Sequence, residues 1–192
     1  ECAACHTLGE GVELIRAVEK SRRIYMFAEN YAFMPARQEM RRVFQSGIMG
    51  SFMYGEGEYL HSMPAADANR LSPGPRHWRN WMPCTYYCTH ALSPIMHITG
   101  AWPVKVNAFP VRKAADNPAS RLRANLSDAA SMIALRMDNG AVVKLLQVGL
   151  RGHGVWVRIH GSRGHMDNLP RQPVSGKSSL SMWSGLRNKL IY

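Results

Sequence analysis

The chain contains 192 residues, of which 46% are hydrophobic, and it has no uninterrupted apolar run of about 18 residues. This length suits one domain, or one domain with part of another, and the hydropathy excludes a membrane-spanning segment. The net charge of +11 raises nucleic acid as a partner. Because the basic residues are scattered rather than gathered in a dense run, we predict no nucleic-acid and no membrane partner, and a solvated basic surface explains the charge equally well.

The first elements in the chain have the order helix, then strand. Thr7-Leu8-Gly9-Glu10 has the pattern of a capping box, in which Thr7 is the N-cap and Glu10 is the third helical residue. Apolar residues follow at helical spacing and predict a helix that ends near Ser21. The next segment, Arg23–Ala28 (RIYMFA), predicts a buried strand. Together these elements are typical of the end of an α/β unit.

A second helix is predicted between Pro35, a favourable first helical residue, and Gly47, a favourable terminator. The region after this helix is predicted to contain a strand, a loop and a further helix. We predict a strand at Ser51–His61 with a bulge eased by its glycines, a long loop at Ala65–Trp81, and a helix at Thr85–Thr99 that Pro94 kinks or restarts.

From Trp102 onwards the sequence is typical of strands. Asp138-Asn139-Gly140 is a hairpin signal between two apolar runs. The predicted elements are a strand at Val104–Val111, a polar loop at Lys113–Asn125, the hairpin strands Ser131–Met137 and Ala141–Val148, and a strand at Gly154–His160 that turns at Gly161–Gly164 into another. Successive strands of this kind predict a mainly antiparallel sheet with helices on one face, and hence the α+β class.

Tyr87 and His90 are the most informative pair of side chains in the sequence. They lie three positions apart, so they share a face if the segment is helical. A phenol and an imidazole can both move protons, and two such groups that converge on one substrate can serve as general base and general acid. The alternative is that both are half-buried packing residues whose polar ends are satisfied by the protein.

Short patterns of cysteines and glycines bear on two other types of site. The pairs Cys2/Cys5 and Cys84/Cys88 have the local spacing of zinc ligands, but a long stretch of chain separates them and the second pair lies on a predicted helix. We therefore predict reduced thiols and no metal site. Three Gly-x-Gly pairs occur, and each lacks the third glycine of a dinucleotide-binding loop. This chain alone therefore contains no complete cofactor site.

Several short motifs follow one another at informative spacings: Arg16–Ser21 (RAVEKS), then Ala28–Tyr31 (AENY), then Ile48–Gly50, then Thr89-His90 with Ile98–Gly100, and finally Gly161–Gly164. In this order they resemble the Gfo/Idh/MocA oxidoreductases. In that family, a helix ends in an A-E-K-S-like sequence, a T-H pair opens a helix that closes with T-G, and a G-T-x-G hairpin follows. The resemblance covers most of the chain to about Asn168.

The departures from the family pattern affect the expected chemistry. Cys2 stands where the family has the lysine of E-K-P, and Tyr86 stands where it has an aspartate four residues before the histidine. Ser93 replaces a second aspartate. The stretch from Tyr87 to Pro94 resembles instead the NAD-dependent glycosidase branch, which carries Y-x-T-H-x-L-x-P. That likeness implies transient oxidation of a sugar carbon, elimination of the glycoside and reduction of the product.

The resemblance also implies the domains and the site residues. Residues 1–30 would be the C-terminal remnant of a nucleotide-binding Rossmann domain, and residues 31–192 an incomplete α+β substrate and oligomerisation domain. Tyr87 and His90 would be catalytic. The substrate-binding residues would be Glu1, His61, Arg79 and Tyr86, and the residues near the cofactor would be Glu1, Asn30 and Tyr31.

For His61 and Arg79 a structural or surface role is the favoured alternative. The expected cofactor is NAD or NADP, bound mainly by a part of the protein that precedes Glu1. The expected partner is a small carbohydrate. A homo-oligomer formed through the sheet face and a cytoplasmic location are also expected. The alternative function is a catalytically silent sugar-binding or oligomerisation module of the same fold.

Overall fold

The computed structural model describes residues 4–61, 64–112, 129–150 and 153–168. Its centre is a six-stranded sheet with the strand order β2-β3-β4-β1-β5-β6. The strands are β1 (Phe52–His61), β2 (Pro103–Val111), β3 (Ala130–Met137), β4 (Val142–Val148), β5 (His153–Gly161) and β6 (His165–Asp167). All neighbours pair in antiparallel fashion except β1 and β4, which are parallel. The α+β class with a mainly antiparallel sheet is thus confirmed.

The described residues form four α-helices: α1 (Leu8–Lys20), α2 (Pro35–Gln45), α3 (Ala65–Leu71) and α4 (Cys88–Thr99). The capping box at the start of α1 is present in full, since Thr7 Oγ1 accepts from the Glu10 amide and the Glu10 carboxylate accepts from the Thr7 amide. Pro35 is the first residue of α2, and Gly47 just beyond its end has φ of 78°. Both helix predictions are confirmed.

The core lies between one face of the sheet and the two helices α2 and α4. Met40 of α2 and Ile95 of α4 are fully buried there, with Leu145 of β4 beneath them. Gly57 of β1 permits this contact, because a Cβ at that position would lie 2.4 Å from the carbonyl oxygen of Ala91. The absence of a side chain on the strand thus sets how closely α4 can approach the sheet.

The opposite face of the sheet has a different composition. A row of side chains crosses five strands on this face and is called here the open-face row: Phe109, Met132, Leu146, Glu58 and Trp156. A neighbouring row is charged. In that row Glu56 forms ion pairs with two cations. Its Oε1 lies 2.6 Å from Lys144 Nζ, and its Oε2 lies 3.4 Å from Arg158 Nη1. Both rows are partly exposed.

The prediction of a buried strand at residues 23–28 is wrong. The segment has no regular secondary structure and pairs with no strand of the described sheet, and Ile24 and Met26 are 94% and 77% exposed. The apolar sequence alone favours a strand. A strand, however, needs a neighbour to satisfy its amides and carbonyls, and the described residues supply none at this position.

The predicted loop at residues 65–81 is also wrong in part. It contains the helix α3 and a 3₁₀ turn at Trp78–Asn80. Asn80 explains the compact path, because its buried side-chain amide donates to the carbonyls of Ser72 and Gly74. The predicted helix at residues 85–99 begins as a 3₁₀ turn, Cys84–Tyr87, before α4. Pro94 lies inside α4 without ending it.

The strand predictions after residue 102 are confirmed where the structure describes them. Gly140 has φ of 87°, as the hairpin turn requires, and β5 and β6 are joined by the predicted turn at residues 161–164. The predicted bulge in β1 is present, but it lies between Phe52 and Tyr54, ahead of the glycines. The predicted loop at Lys113–Asn125 falls outside the described residues.

Candidate active site

Tyr87 and His90 lie at the point where a 3₁₀ turn becomes α4. Tyr87 is the last residue of the turn Cys84–Tyr87, and His90 is the third residue of the helix. The tight turn followed by the helix brings the two rings together, with their centroids 6.2 Å apart. The expectation that the two side chains share one face therefore agrees with the geometry.

His90 is buried between aromatic rings and a carboxylate. Its ring centroid lies 4.5 Å from that of Tyr31 and 4.5 Å from that of Tyr59. Its Nδ1 lies 2.9 Å from Oε1 of Glu29. The side chains of His90 and Glu29 are only 10% and 7% exposed, so solvent competes little with this contact.

Glu29 is held as an ionised carboxylate. Burial raises its pKa, but the hydrogen bonds from His90 and from the Tyr31 amide, together with the charge of His90, bring the pKa below its ordinary value. The Tyr31 amide donates to the same oxygen, Oε1, over 2.9 Å. A carboxylate that is ionised and buried with two donors on one oxygen is a strong local acceptor.

Tyr87 has a cationic neighbour. Arg79 Nη1 donates a hydrogen bond to the Tyr87 hydroxyl oxygen over 3.0 Å. Arg79 lies in the 3₁₀ turn Trp78–Asn80, and its guanidinium carbon also lies 5.1 Å from the centroid of the Trp78 ring. The structure thus brings one predicted substrate-binding residue, Arg79, to the predicted catalytic phenol.

The other predicted site residues surround this pair less closely. Tyr31 contacts His90 directly. Asn30, which precedes Tyr31, is exposed; it is the N-cap residue of the 3₁₀ turn Tyr31–Phe33, but its side chain makes no capping hydrogen bond. Tyr86 donates its hydroxyl to the carbonyl of His6 over 2.8 Å, which ties the start of the chain to the site. His61, the last residue of β1, stacks on the ring of Tyr59. Glu1 lies outside the described residues.

Two residues of the site, Glu29 and Tyr59, carried no assigned role in the sequence analysis. Glu29 belongs to the quoted AENY motif, but its contact with His90 spans 61 positions and no local pattern reveals it. Tyr59 follows Gly57 by two positions in β1, so both face α4. Only the packing of β1 against α4 shows that its ring covers His90.

Thiols, potential metal ligands and apolar helices bear on other kinds of site. Cys5, Cys84 and Cys88 are free thiols, and Cys2 lies outside the described residues. Within the described ranges, no three His, Cys, Asp or Glu side chains are grouped so that they could hold a metal ion. The described helices are each too short or too polar to cross a lipid bilayer.

No family model matches the chain. A glycosyl hydrolase family 109 protein from Saccharopolyspora erythraea is 29% identical over 98 residues, which is 50% of this chain and 21% of that protein. The chain therefore matches only a minor part of this relative's length.

Solved structures match much more of the chain. An inositol dehydrogenase homolog from Azotobacter vinelandii, complexed with NAD+, aligns with a TM-score of 0.66 at 16% identity and covers 86% of this chain and 43% of its own. Levoglucosan dehydrogenase in complex with NADH and L-sorbose aligns with a TM-score of 0.67 at 22% identity, covering 86% and 45%. The described elements have the fold of Gfo/Idh/MocA dehydrogenases.

At such low identities, the likeness to the Gfo/Idh/MocA dehydrogenases establishes the fold. It confirms the resemblance drawn from the order of motifs, including the helix that carries Thr89-His90 and the hairpin at Gly161–Gly164. This chain spans less than half of the length of the two dehydrogenases compared.

Proposed function

We propose that this chain is the substrate-binding part of an NAD(P)-dependent oxidoreductase that acts on a carbohydrate or glycoside. The observation that carries the proposal is the convergence of Tyr87, with Arg79 on its hydroxyl, and His90, with Glu29 on its ring. The fold of the dehydrogenase neighbours, and the glycosyl hydrolase family 109 relative, support carbohydrate redox chemistry. A nucleotide-binding domain preceding the described residues belongs to the same proposal.

Tyr87 is the proposed acceptor of the hydroxyl proton. When a sugar carbinol loses a hydride, its hydroxyl must lose a proton, and a phenolate can take it. The Arg79 guanidinium, which donates to the Tyr87 oxygen over 3.0 Å, stabilises negative charge on that oxygen. Arg79 thus has two proposed roles. It stabilises the Tyr87 oxygen, and it binds the substrate hydroxyls, as proposed from the sequence.

His90 is the proposed second proton carrier. A ketone formed on the sugar acidifies the neighbouring C–H bond, and removal of that proton prepares a leaving group for elimination. An imidazole suits this task because its ordinary pKa lies near neutral pH. The rings of Tyr31 and Tyr59 hold the imidazole in place and limit access of water to it. This part of the proposal is the glycosidase-like reaction.

The polar groups beside Tyr31 are chemically suited to a nicotinamide ring. Asn30 is exposed beside Tyr31 and its side chain makes no capping bond, so its amide can pair with a carboxamide. The described residues contain no glycine-rich turn between a strand and a helix, so the pyrophosphate would be held elsewhere. When bound, NAD(P) supplies the hydride acceptor; NAD and NADP are both compatible with these residues.

The test uses the complete protein that contains this chain. Reduction of NAD or NADP is measured with a panel of sugars, and release of the leaving group is measured with the matching glycosides. Tyr87→Phe and His90→Ala should each lower turnover by roughly 10²- to 10⁴-fold, as expected for loss of an acid–base group. Tyr54→Phe and His97→Ala, which change the same residue types away from the pair, should leave turnover unchanged.

The opposite result is equally clear. If the complete protein binds neither NAD nor NADP and turns over no sugar or glycoside, the proposal fails. If it binds a sugar without turnover, and if Tyr87→Phe and His90→Ala leave that affinity unchanged, the chain is a catalytically silent binding module.

We also propose that the open face of the sheet pairs with a second copy of the chain. The helices described here cover only the other face, and the open-face row combines partly exposed Phe109, Leu146 and Trp156 with flanking charges. Aromatic and aliphatic side chains inside a charged margin are typical of subunit interfaces.

A further inference from the structure

We infer that Glu29 is the positioning residue of His90: its carboxylate fixes the imidazole proton on Nδ1 and so leaves Nε2 as the proton acceptor of the ring. The inference rests on the proposed function in treating His90 as a proton carrier. It concerns a group that no comparison assigns and that lies 61 positions away from His90 in the sequence.

The first step is the direction of the hydrogen bond. Oε1 of Glu29 lies 2.9 Å from Nδ1 of His90, and the carboxylate is ionised. An ionised carboxylate can only accept, so Nδ1 must carry the proton. In the neutral ring, the other nitrogen then has a lone pair and can accept a proton from a substrate.

The second step is that the carboxylate is itself fixed. The Tyr31 amide donates to the same Oε1 over 2.9 Å, and Glu29 immediately precedes the 3₁₀ turn in which Tyr31 lies. With a side-chain exposure of 7%, Glu29 has little freedom to turn towards solvent. The backbone therefore aims the acceptor oxygen at His90.

The third step is that the imidazole is held in one orientation. The rings of Tyr31 and Tyr59 lie on it at centroid distances of 4.5 Å, so a ring flip would require both tyrosines to move. Helix α4 contains no aspartate or glutamate of its own. Tyr86, four residues before His90, is engaged with the His6 carbonyl. The carboxylate that orients this histidine thus comes from a separate segment.

The decisive experiment reads the tautomer directly in this chain. Long-range ¹H–¹⁵N NMR of the histidine rings distinguishes a protonated from an unprotonated nitrogen. In the neutral ring, His90 should carry its proton on Nδ1 in the wild type. Glu29→Gln, which keeps the size and an acceptor oxygen but removes the charge, should weaken that preference measurably. Glu39→Gln is the matched control, because the Glu39 side chain is 40% exposed and pairs with Arg42 on its own helix, α2.

His97 provides an internal reference. It lies on the same helix, its Nε2 is 3.1 Å from Nε2 of Gln38, and its ring signals should not change in Glu29→Gln if the helix is intact. In the complete protein, Glu29→Gln should lower kcat roughly 10- to 100-fold with little change in KM, as expected when a group that orients an active residue is lost. Glu29→Asp should recover part of the Nδ1–H signal.

Two results would overturn the inference. One is a wild-type His90 whose neutral ring carries the proton on Nε2, which needs no variant to detect. The other is a folded Glu29→Gln chain in which Nδ1–H persists unchanged. Neither outcome depends on the proposed function. The proposed function fails separately, if the complete protein shows no turnover although His90 has the expected tautomer.

Discussion

Arg79 and Tyr87 are joined by a hydrogen bond of 3.0 Å from the guanidinium Nη1 to the phenolic oxygen. The two residues lie in separate 3₁₀ turns, Trp78–Asn80 and Cys84–Tyr87. Both turns come from the region between β1 and α4, and the buried Asn80 side chain fixes the first of them. The contact therefore couples the conformation of this connecting region to the proposed proton acceptor.

Replacement of Arg79 by Met should impair turnover more than it impairs folding. The change keeps an unbranched side chain but removes the donor to Tyr87, and a hydrogen bond to a charged group contributes about 1.5 to 3 kcal/mol. We expect a loss of roughly 10- to 100-fold in kcat of the complete protein. Arg70→Met, in the exposed ion pair with Asp67, is the control and should be silent. A full-rate Arg79→Met enzyme would remove Arg79 from the mechanism.

Glu56 should make the sheet sensitive to acid. Burial raises its pKa, but hydrogen bonds from Lys144 and Tyr54, and the charges of Lys144 and Arg158, bring the pKa below its ordinary value. A group whose pKa is lower in the folded state stabilises the fold above its unfolded pKa of about 4.3. The free energy of unfolding should therefore fall as the pH is lowered from about 5 through the folded pKa.

The corresponding variant is Glu56→Gln. It removes the charge between Lys144 and Arg158 while retaining the shape, and should lower the free energy of unfolding at neutral pH by about 1 to 2 kcal/mol, since Lys144 is half exposed and partly screened. Urea unfolding at neutral pH and at low pH measures the effect. The variant should show a smaller loss of stability on acidification than the wild type; an equal loss in both would exclude Glu56 as a source of acid sensitivity.

Gly57→Ala should displace α4 from the sheet. The added Cβ would lie 2.4 Å from the Ala91 carbonyl oxygen, a backbone atom that cannot rotate away. Overpacking of this kind costs about 1 to 3 kcal/mol, measured by thermal or urea unfolding. Because Ala91 adjoins His90, turnover should fall as well. The control is Gly9→Ala in α1, where only Thr7 Oγ1 lies within range at 3.8 Å, and which should be neutral or stabilising by up to about 1 kcal/mol.

Leu146→Asp should separate the proposed subunits. Leu146 lies at the middle of the open-face row, between Met132 and Glu58. A carboxylate placed there would face Glu58, whose pKa is already raised by burial, so a buried interface would be strongly disfavoured. Light scattering should show a multimer for the wild type and a monomer for the variant, with unchanged circular dichroism. A monomeric wild type would contradict the proposed pairing.

The sequence predicted those parts of the fold that depend on local chemistry. The capping box at Thr7, the helix start at Pro35 and the hairpin at Gly140 each follow from residues within a few positions of one another. The segment at residues 23–28 was misassigned because its hydropathy does not say whether a neighbouring strand exists. The 3₁₀ turn at Trp78–Asn80 was missed because Asn80 stabilises it through contacts six and eight residues away.

The candidate site was predicted in the same uneven way. Tyr87 and His90 lie close together in sequence, so helical spacing alone was enough to pair them. Glu29 and Tyr59 approach His90 from two other elements of the chain. The Tyr59 contact is set by the packing of α4 against β1, for which Gly57 is one determinant, and the Glu29 contact comes from the segment before the 3₁₀ turn Tyr31–Phe33; no periodic pattern encodes either.

A double-mutant cycle on Tyr87 and His90 tests the central claim most directly. The turnover of the complete protein is measured for the wild type, for Tyr87→Phe, for His90→Gln and for the double variant under one set of conditions. If the phenol and the imidazole serve one reaction, the double variant should lose little more than the worse single variant, since residues that act as a unit are not additive. Losses that multiply in full, or single variants that retain wild-type turnover, would contradict the account.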